Sequence, residues 1–171
     1  SDVHLLVVAT AERGLCGGFN SSIVRLAKVH IEKLQKDGSR VKIITIGKKG
    51  KEQLKREFSD LIVDHVDLSN VKRVGYDNAK SISEDILSRF EENEFDVCTI
   101  FYNEFKSVIS QIPTALQLIP AVFEDLEDST SDFYEYEPGE NEILTELLPR
   151  AMTTNIFTAL LENGASEQGA R

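Results

Sequence analysis

The sequence predicts an α/β fold: a doubly wound, mostly parallel, Rossmann-like sheet with helices on both faces, followed by the start of a long C-terminal coiled-coil helix. Three observations predict it. Two nearly unbroken apolar runs, Leu5-Leu6-Val7-Val8-Ala9 and Val41-Lys42-Ile43-Ile44-Thr45-Ile46, have the composition of strands covered on both faces. Segments with apolar residues recurring every three or four positions alternate with them, as crossover helices require. The first run passes into the first such segment through a glycine-rich turn, Arg13-Gly14-Leu15-Cys16-Gly17-Gly18-Phe19-Asn20, which is the strand–turn–helix order of a βα unit.

The first helix is read from Ile23, Leu26, Ala27, His30, Ile31 and Leu34, with Asn20 to Ser22 as N-cap candidates and Gly38 just past its end. The second strand closes at Gly47. Gly47-Lys48-Lys49-Gly50-Lys51 then opens a basic helix reaching Phe58, and Leu61-Ile62-Val63 is a short strand followed by polar turn material through Asn70. Tyr76, Ala79, Ile82, Ile86, Leu87 and Phe90 mark a further helix, and Val97 to Tyr102 the next core strand. A last strand is expected over Lys106 to Ile112, with Pro113 at its end or at an edge position.

Beyond it, Glu124 to Asp132 reads as a loop, Phe133 to Glu137 as a short extended arm, and Pro138-Gly139 as a turn. A helix starts around Ile143 to Leu148 and restarts at Pro149, with Met152, Ile156, Phe157, Leu160 and Leu161 continuing its apolar stripe. The expected division is therefore an α/β domain over 1–122, an acidic loop, arm and helix start over 123–148, and the base of the coiled-coil helix over 149–171. Small residues cluster between Gly164 and Ala170, as on a helix that packs closely against a second one. Both ends of the chain look cut from something longer.

The formal charge of −10 is concentrated in one place. Ten acids and no Lys or Arg lie between Glu124 and Pro149; removing these ten from the total of 29 leaves 19, matched by 19 Lys and Arg. A neutral body does not offer the basic footprint that nucleic acid needs. No apolar run of membrane-spanning length and no signal-peptide pattern is present. Cys16 and Cys98 lie far apart and outside any CxxC spacing, which suggests a reduced, intracellular setting rather than a zinc site. His4, His30 and His65 are scattered and form no ligand cluster.

The chemistry readable from the residues is sparse. A dinucleotide loop would show G-x-G-x-x-G with an acid ending the second strand. Here the spacing is G-x-x-G-G and the second strand runs into Gly47-Lys48, although Lys48 or Lys49 could meet a 2′-phosphate. The G-x-x-x-x-G-K-[ST] spacing is also missing, so the five bases between Lys48 and Arg56 read as a solvated helix face. No nucleophile–base pairing, HExxH, GxSxG or paired carboxylates stand out. Gly14, Gly17, Gly18 and Asn20 are accordingly read as a structural loop, with positive φ expected at Gly17 and Gly18; catalytic, cofactor-binding and metal residues are expected to be none. A nucleotide-binding α/β enzyme using Gly14–Gly18, and an interaction module working through the acidic arm, remain as alternatives.

The octapeptide from Arg13 to Asn20 resembles the signature of the gamma subunit of rotary F-type ATP synthases, in bacterial style. Gly164-Ala165-Ser166-Glu167-Gln168-Gly169-Ala170-Arg171 resembles the start of that family's C-terminal signature, and Phe101 to Ser107 and Tyr136-Glu137-Pro138 lie between them in the family's order. The resemblance covers essentially the whole chain. It implies a central-stalk rotor subunit, non-catalytic itself, that transmits torque between the proton-driven ring of c subunits and the catalytic alpha/beta hexamer. The implied partners are the alpha, beta and epsilon subunits and the c ring, with no nucleic acid and no membrane span. The implied location is peripheral, on the cytoplasmic face of the bacterial inner membrane, or on the matrix face of the inner mitochondrial membrane for an organelle. By resemblance, Ser166, Glu167, Gln168 and Arg171 are candidate shaft or hexamer contacts, while Gly164, Ala165 and Gly169 permit close helix approach.

Overall fold

The computed structural model describes residues 2–14, 18–120 and 147–170. Cys16, Gly17, Arg171, the acidic loop, the extended arm and the Pro138-Gly139 turn lie outside the described residues. Within them the order is β1 (Val3–Ala9), α1 (Phe19–Lys36), β2 (Arg40–Ile46), α2 (Lys48–Phe58), β3 (Ile62–Val66), α3 (Tyr76–Glu91), β4 (Val97–Ser107), β5 (Ser110–Ile119) and α4 (Leu148–Ala170). The five strands form one sheet in the order β3-β2-β1-β4-β5. All neighbours are parallel except β4 and β5, which form an antiparallel hairpin.

The period-two alternation of a strand explains how one run of apolar residues serves two cores. On β1, Leu5, Val7 and Ala9 join Ile44, Ile46, Cys98 and Ile100 beneath α3 and α4. Leu6 and Val8 point the other way, with Ile43 and Phe101, under α1 and α2. Burying a side chain of this size contributes about 1.5–3 kcal/mol, so the central strand carries a large share of the stability.

Several boundaries differ from expectation for identifiable reasons. Helix α1 starts earlier, capped by the backbone of Gly18 with no side-chain cap bond, so Asn20 to Ser22 lie inside the first turn rather than at its N-cap. The Ser22 hydroxyl donates instead to the Phe19 carbonyl at 3.0 Å. Helix α3 is entered through Gly75, whose N–H donates to the Asn78 side chain at 2.9 Å. Strand β4 runs on through Lys106, and β5 begins only at Ser110. Pro113 therefore sits inside β5, opposite Asn103, at the edge position that is one of the two places expected for it. A proline is tolerated there because β5 is the sheet's edge.

The direction of winding defines a switch point. From β1 the chain moves outward to β2 and β3 with α1 and α2 packed on one face; α3 then crosses the other face and returns the chain to β4, beside β1. Doubly wound sheets bind ligands in the crevice that opens at such a point, beyond the carboxyl ends of the two strands.

Candidate functional site

The carboxyl ends of β1 and β2 are locked to the start of α2. Ile46 leads into Gly47 at φ +93, a left-handed conformation that favours glycine. The Thr10 N–H donates to the Ile46 carbonyl at 2.8 Å, and Lys49 N–H donates to the Ala11 carbonyl at 3.1 Å. The Gly50 N–H donates to the Thr10 hydroxyl at 2.7 Å. A Cβ on Gly47 would overlap the Thr10 carbonyl, and one on Gly50 would lie 2.6 Å from Thr10 Oγ1. A helix start attracts phosphate through its unspent N–H groups. In α2 those of Lys49 and Gly50 are already taken by the chain itself, and Lys48 and Lys49 pair with Glu52 at 3.9 and 3.4 Å.

In the glycine-rich loop, a Cβ on Gly14 would meet the Lys49 side chain at an ordinary 3.5 Å. Gly18 is the N-cap of α1 at φ −84, with nothing within 4 Å of a Cβ, so the positive φ expected there is not found. The left-handed glycines among the described residues are Gly38 and Gly47. Asn20 is buried, and its Oδ1 accepts from Ala11 N–H at 2.9 Å, drawing the first turn of α1 back onto the end of β1.

The switch-point crevice is entered by α4. Asn163 is buried there; its Nδ2 donates to the Ala9 carbonyl at 2.9 Å and its Oδ1 accepts from Asn103 N–H at 2.7 Å. The last β1–β4 pair is Val8 with Phe101, so these bonds lie where β1 gives out and β4 continues. Asn103 donates its own Nδ2 to the Phe19 carbonyl at 3.1 Å, linking β4 to α1. The Asn103 carbonyl, on the same side of β4 as its N–H, accepts the Ser166 hydroxyl at 3.3 Å. One turn earlier on α4, Glu162 accepts from Phe105 N–H at 2.6 Å. Four strand groups are thus satisfied by three side chains of one helix.

Ser166 is fully buried against β4, so its hydroxyl is engaged within the domain. Glu167 is half-buried and Gln168 exposed. Both line an open crevice of about 690 Å³ between α4, the β1 end and the β3–α3 connection, with Glu12, Arg13, Asn70 and Lys72.

Among the described residues, Cys98, His30 and His65 are engaged within the fold. Cys98 is fully buried, and burial pushes its thiol pKa up. His30 meets Phe101 edge-on at 5.0 Å. Burial, then the charge of Lys33, holds its imidazole below the ordinary 6.5. His65 Nδ1 shares a 2.7 Å hydrogen bond with the Thr45 hydroxyl. Among the described residues no group of His, Cys, Asp or Glu is placed to hold a metal ion. No helix among them is long and apolar enough to cross a membrane.

The family model described as ATP synthase matches residues 1–171. The chain belongs to this family. It is 66% identical over 175 residues to the ATP synthase gamma chain of Jannaschia sp. (strain CCS1), covering 99% of this chain and 59% of that one. It is 64% identical over 168 residues to the gamma chain of Paracoccus denitrificans (strain Pd 1222), covering 98% and 58%. The chain thus spans less than two thirds of the length of these relatives. Among solved structures it is similar to the Tetrahymena thermophila mitochondrial ATP synthase central stalk and c ring, with a TM-score of 0.75 and 26% identity over 99% of this chain and 73% of that one. The rotor of the Euglena gracilis mitochondrial ATP synthase shares the fold, with a TM-score of 0.69 at 19% identity, covering 99% of this chain and 64% of that one.

Gly47 closes β2 as expected, whereas the roles of Thr10, Asn103 and Asn163 are not visible in the glycine-rich loop or in any motif. One signal for Asn163 was present. It falls on the buried stripe of α4, following Met152, Ile156 and Ala159 at helical spacing, where a polar residue needs a buried partner.

Proposed function

We propose that this chain is the α/β portion of a central-stalk rotor subunit. It transmits torque between a proton-driven ring of c subunits and a catalytic hexamer of alpha and beta subunits, and makes or breaks no bonds itself. One observation carries the reading: α4 is inserted by Asn163 into the switch-point crevice, which the chain uses to anchor a helix where a nucleotide-binding relative of the fold would seat its ligand. A helix held by directed bonds to two central strands is built to transmit force into the sheet.

On this reading residues 1–122 are the foot, 123–148 an acidic connection, and 149–171 the base of the shaft helix. Glu167, Gln168 and Arg171 contact a partner helix or the hexamer, whereas Ser166 is spent inside the foot. Gly14, Gly17, Gly18 and Asn20 shape the entry to α1 and bind no cofactor. The epsilon subunit joins the foot, and the assembly is peripheral, on the cytoplasmic face of a bacterial inner membrane or the matrix face of an organelle's.

The test is reconstitution of the full-length parent chain with alpha, beta, epsilon and c subunits in vesicles. ATP-driven proton pumping that requires this chain supports the rotor reading. Recovery outside any complex, with saturable binding of ATP or NADPH in a calorimetric titration, overturns it in favour of a nucleotide-binding enzyme.

A further inference from the structure

We propose that Asn163, with Ser166 and the strand residue Asn103, is a rotational lock that fixes the angular phase of α4 on the sheet. The apolar contacts of α4, through Met152, Ile156, Ala159 and Leu160, hold it against the core. Such contacts are non-directional, so they set the angle of a helix less sharply than directed bonds do. Hydrogen bonds are directional, and their strength falls steeply with misalignment.

Asn163 is bound on both sides of its amide: it donates to Ala9 of β1 at 2.9 Å and accepts from Asn103 of β4 at 2.7 Å. A roll in either direction breaks one of these bonds and leaves a strand group without its partner. Ser166, three residues on and fully buried, adds a third point on the same helix face through the Asn103 carbonyl at 3.3 Å. Asn103 passes the restraint on to α1 through Phe19 at 3.1 Å. The lock therefore joins β1, β4, α1 and α4 at one point. Asn163, Ser166 and Asn103 are positioning residues.

The consequence for coupling rests on the rotor reading. If torque leaves the sheet through α4, angular play at its base lets the shaft lag or slip against the foot. Loosening the lock then lowers protons moved per ATP hydrolysed while hydrolysis itself continues. Loosening apolar packing of α4 elsewhere does not.

The experiment uses the full-length chain in the reconstituted complex, with Asn163→Leu compared with Met152→Ala. Spin labels at Thr158 on α4 and Lys36 on α1, both exposed, report the angular spread of the helix as the width of a distance distribution. The lock predicts a broader distribution for Asn163→Leu than for Met152→Ala, and a pumping-to-hydrolysis ratio that falls roughly two-fold or more only in the former. An unchanged width in Asn163→Leu overturns the lock. Broadening with an unchanged ratio overturns its part in torque transmission. If Asn163→Leu does not assemble, Asn163→Ala, which removes both bonds and adds no volume, is read the same way. Failure of the rotor reading looks different: the unsubstituted chain then supports no pumping, while the distance distributions still report on the lock.

Discussion

The Thr10 hydroxyl accepts a hydrogen bond from Gly50 N–H at 2.7 Å, fastening the end of β1 to the first turn of α2. The contact is close because neither Gly47 nor Gly50 carries a Cβ. A Cβ at position 50 would stand 2.7 Å from Thr10 Cγ2, and at position 47 it would meet the Thr10 backbone. Gly47→Ala adds the strain of a left-handed φ to that overlap, and the expected loss of stability is about 3 kcal/mol or more. Gly18→Ala, at φ −84 with open space around it, is expected to cost about 1 kcal/mol or less. Chemical denaturation of the full-length variants ranks the two. A larger loss at Gly18 would return the conformational demand to the glycine-rich loop.

His30 makes stability depend on pH just below neutrality. Its folded pKa is depressed, first by burial and then by Lys33. The unfolded chain therefore binds the proton more readily, and stability falls as pH drops below the unfolded value near 6.5. His30→Gln is expected to flatten the stability profile between about pH 7 and 5. Asp67, held below its usual pKa by hydrogen bonds from Ser69, acts in a separate window, with stability lost as pH falls below its unfolded 3.8. Denaturant midpoints across this range distinguish the two, and an unchanged slope above pH 5 in His30→Gln would remove the histidine as the cause.

Much of this fold can be read in the residues because its central strands are buried on both faces. Leu5–Ala9 and Val41–Ile46 are conspicuous for that reason, and the crossover helices follow from their apolar periodicity. The β4–β5 hairpin is less legible. Its outer half is amphiphilic, with Ile109 at 94% exposure, and Pro113 is compatible locally with either a strand end or an edge position, of which the structure has the edge. The lock on α4 is hardest to see. Asn103 and Asn163 are separated by sixty positions, and their pairing depends on where β1 happens to stop. The polarity of a residue is local, whereas its partner is set by topology.

Arg89 gathers three carboxylates, Asp64 at 2.9 Å, Asp85 at 3.0 Å and Glu94 at 3.4 Å, tying α3 to the edge strand β3 and to the turn before β4. A planar guanidinium can face all three, whereas an ammonium cannot match that fork. The carboxylates are 36% to 48% exposed, so screening limits the total, and Arg89→Ala is expected to cost about 1–2 kcal/mol. Arg89→Lys is expected to recover less than half of that. The loss should shrink in high salt. Denaturation at low and high ionic strength tests this, and a salt-independent loss would assign the effect to the packing of the Arg89 stem.

Cys98 offers a reporter of opening at the centre of the sheet. It is fully buried beside β1, paired in register with Leu5, and burial raises its thiol pKa, so both access and thiolate formation are suppressed in the folded state. In a Cys16→Ser background of the full-length chain, its labelling by a thiol reagent is expected to require unfolding of the core. The rate under native conditions should then track global stability and rise in Gly47→Ala in proportion to the equilibrium loss. Leu161, exposed on α4, supplies the contrast: a cysteine placed there should label at once. Labelling of Cys98 at a rate insensitive to Gly47→Ala would mean that β4 parts from β1 by a local route. An opening that starts at the Asn103 end of β4 should be accelerated by Asn163→Leu and not by Gly47→Ala.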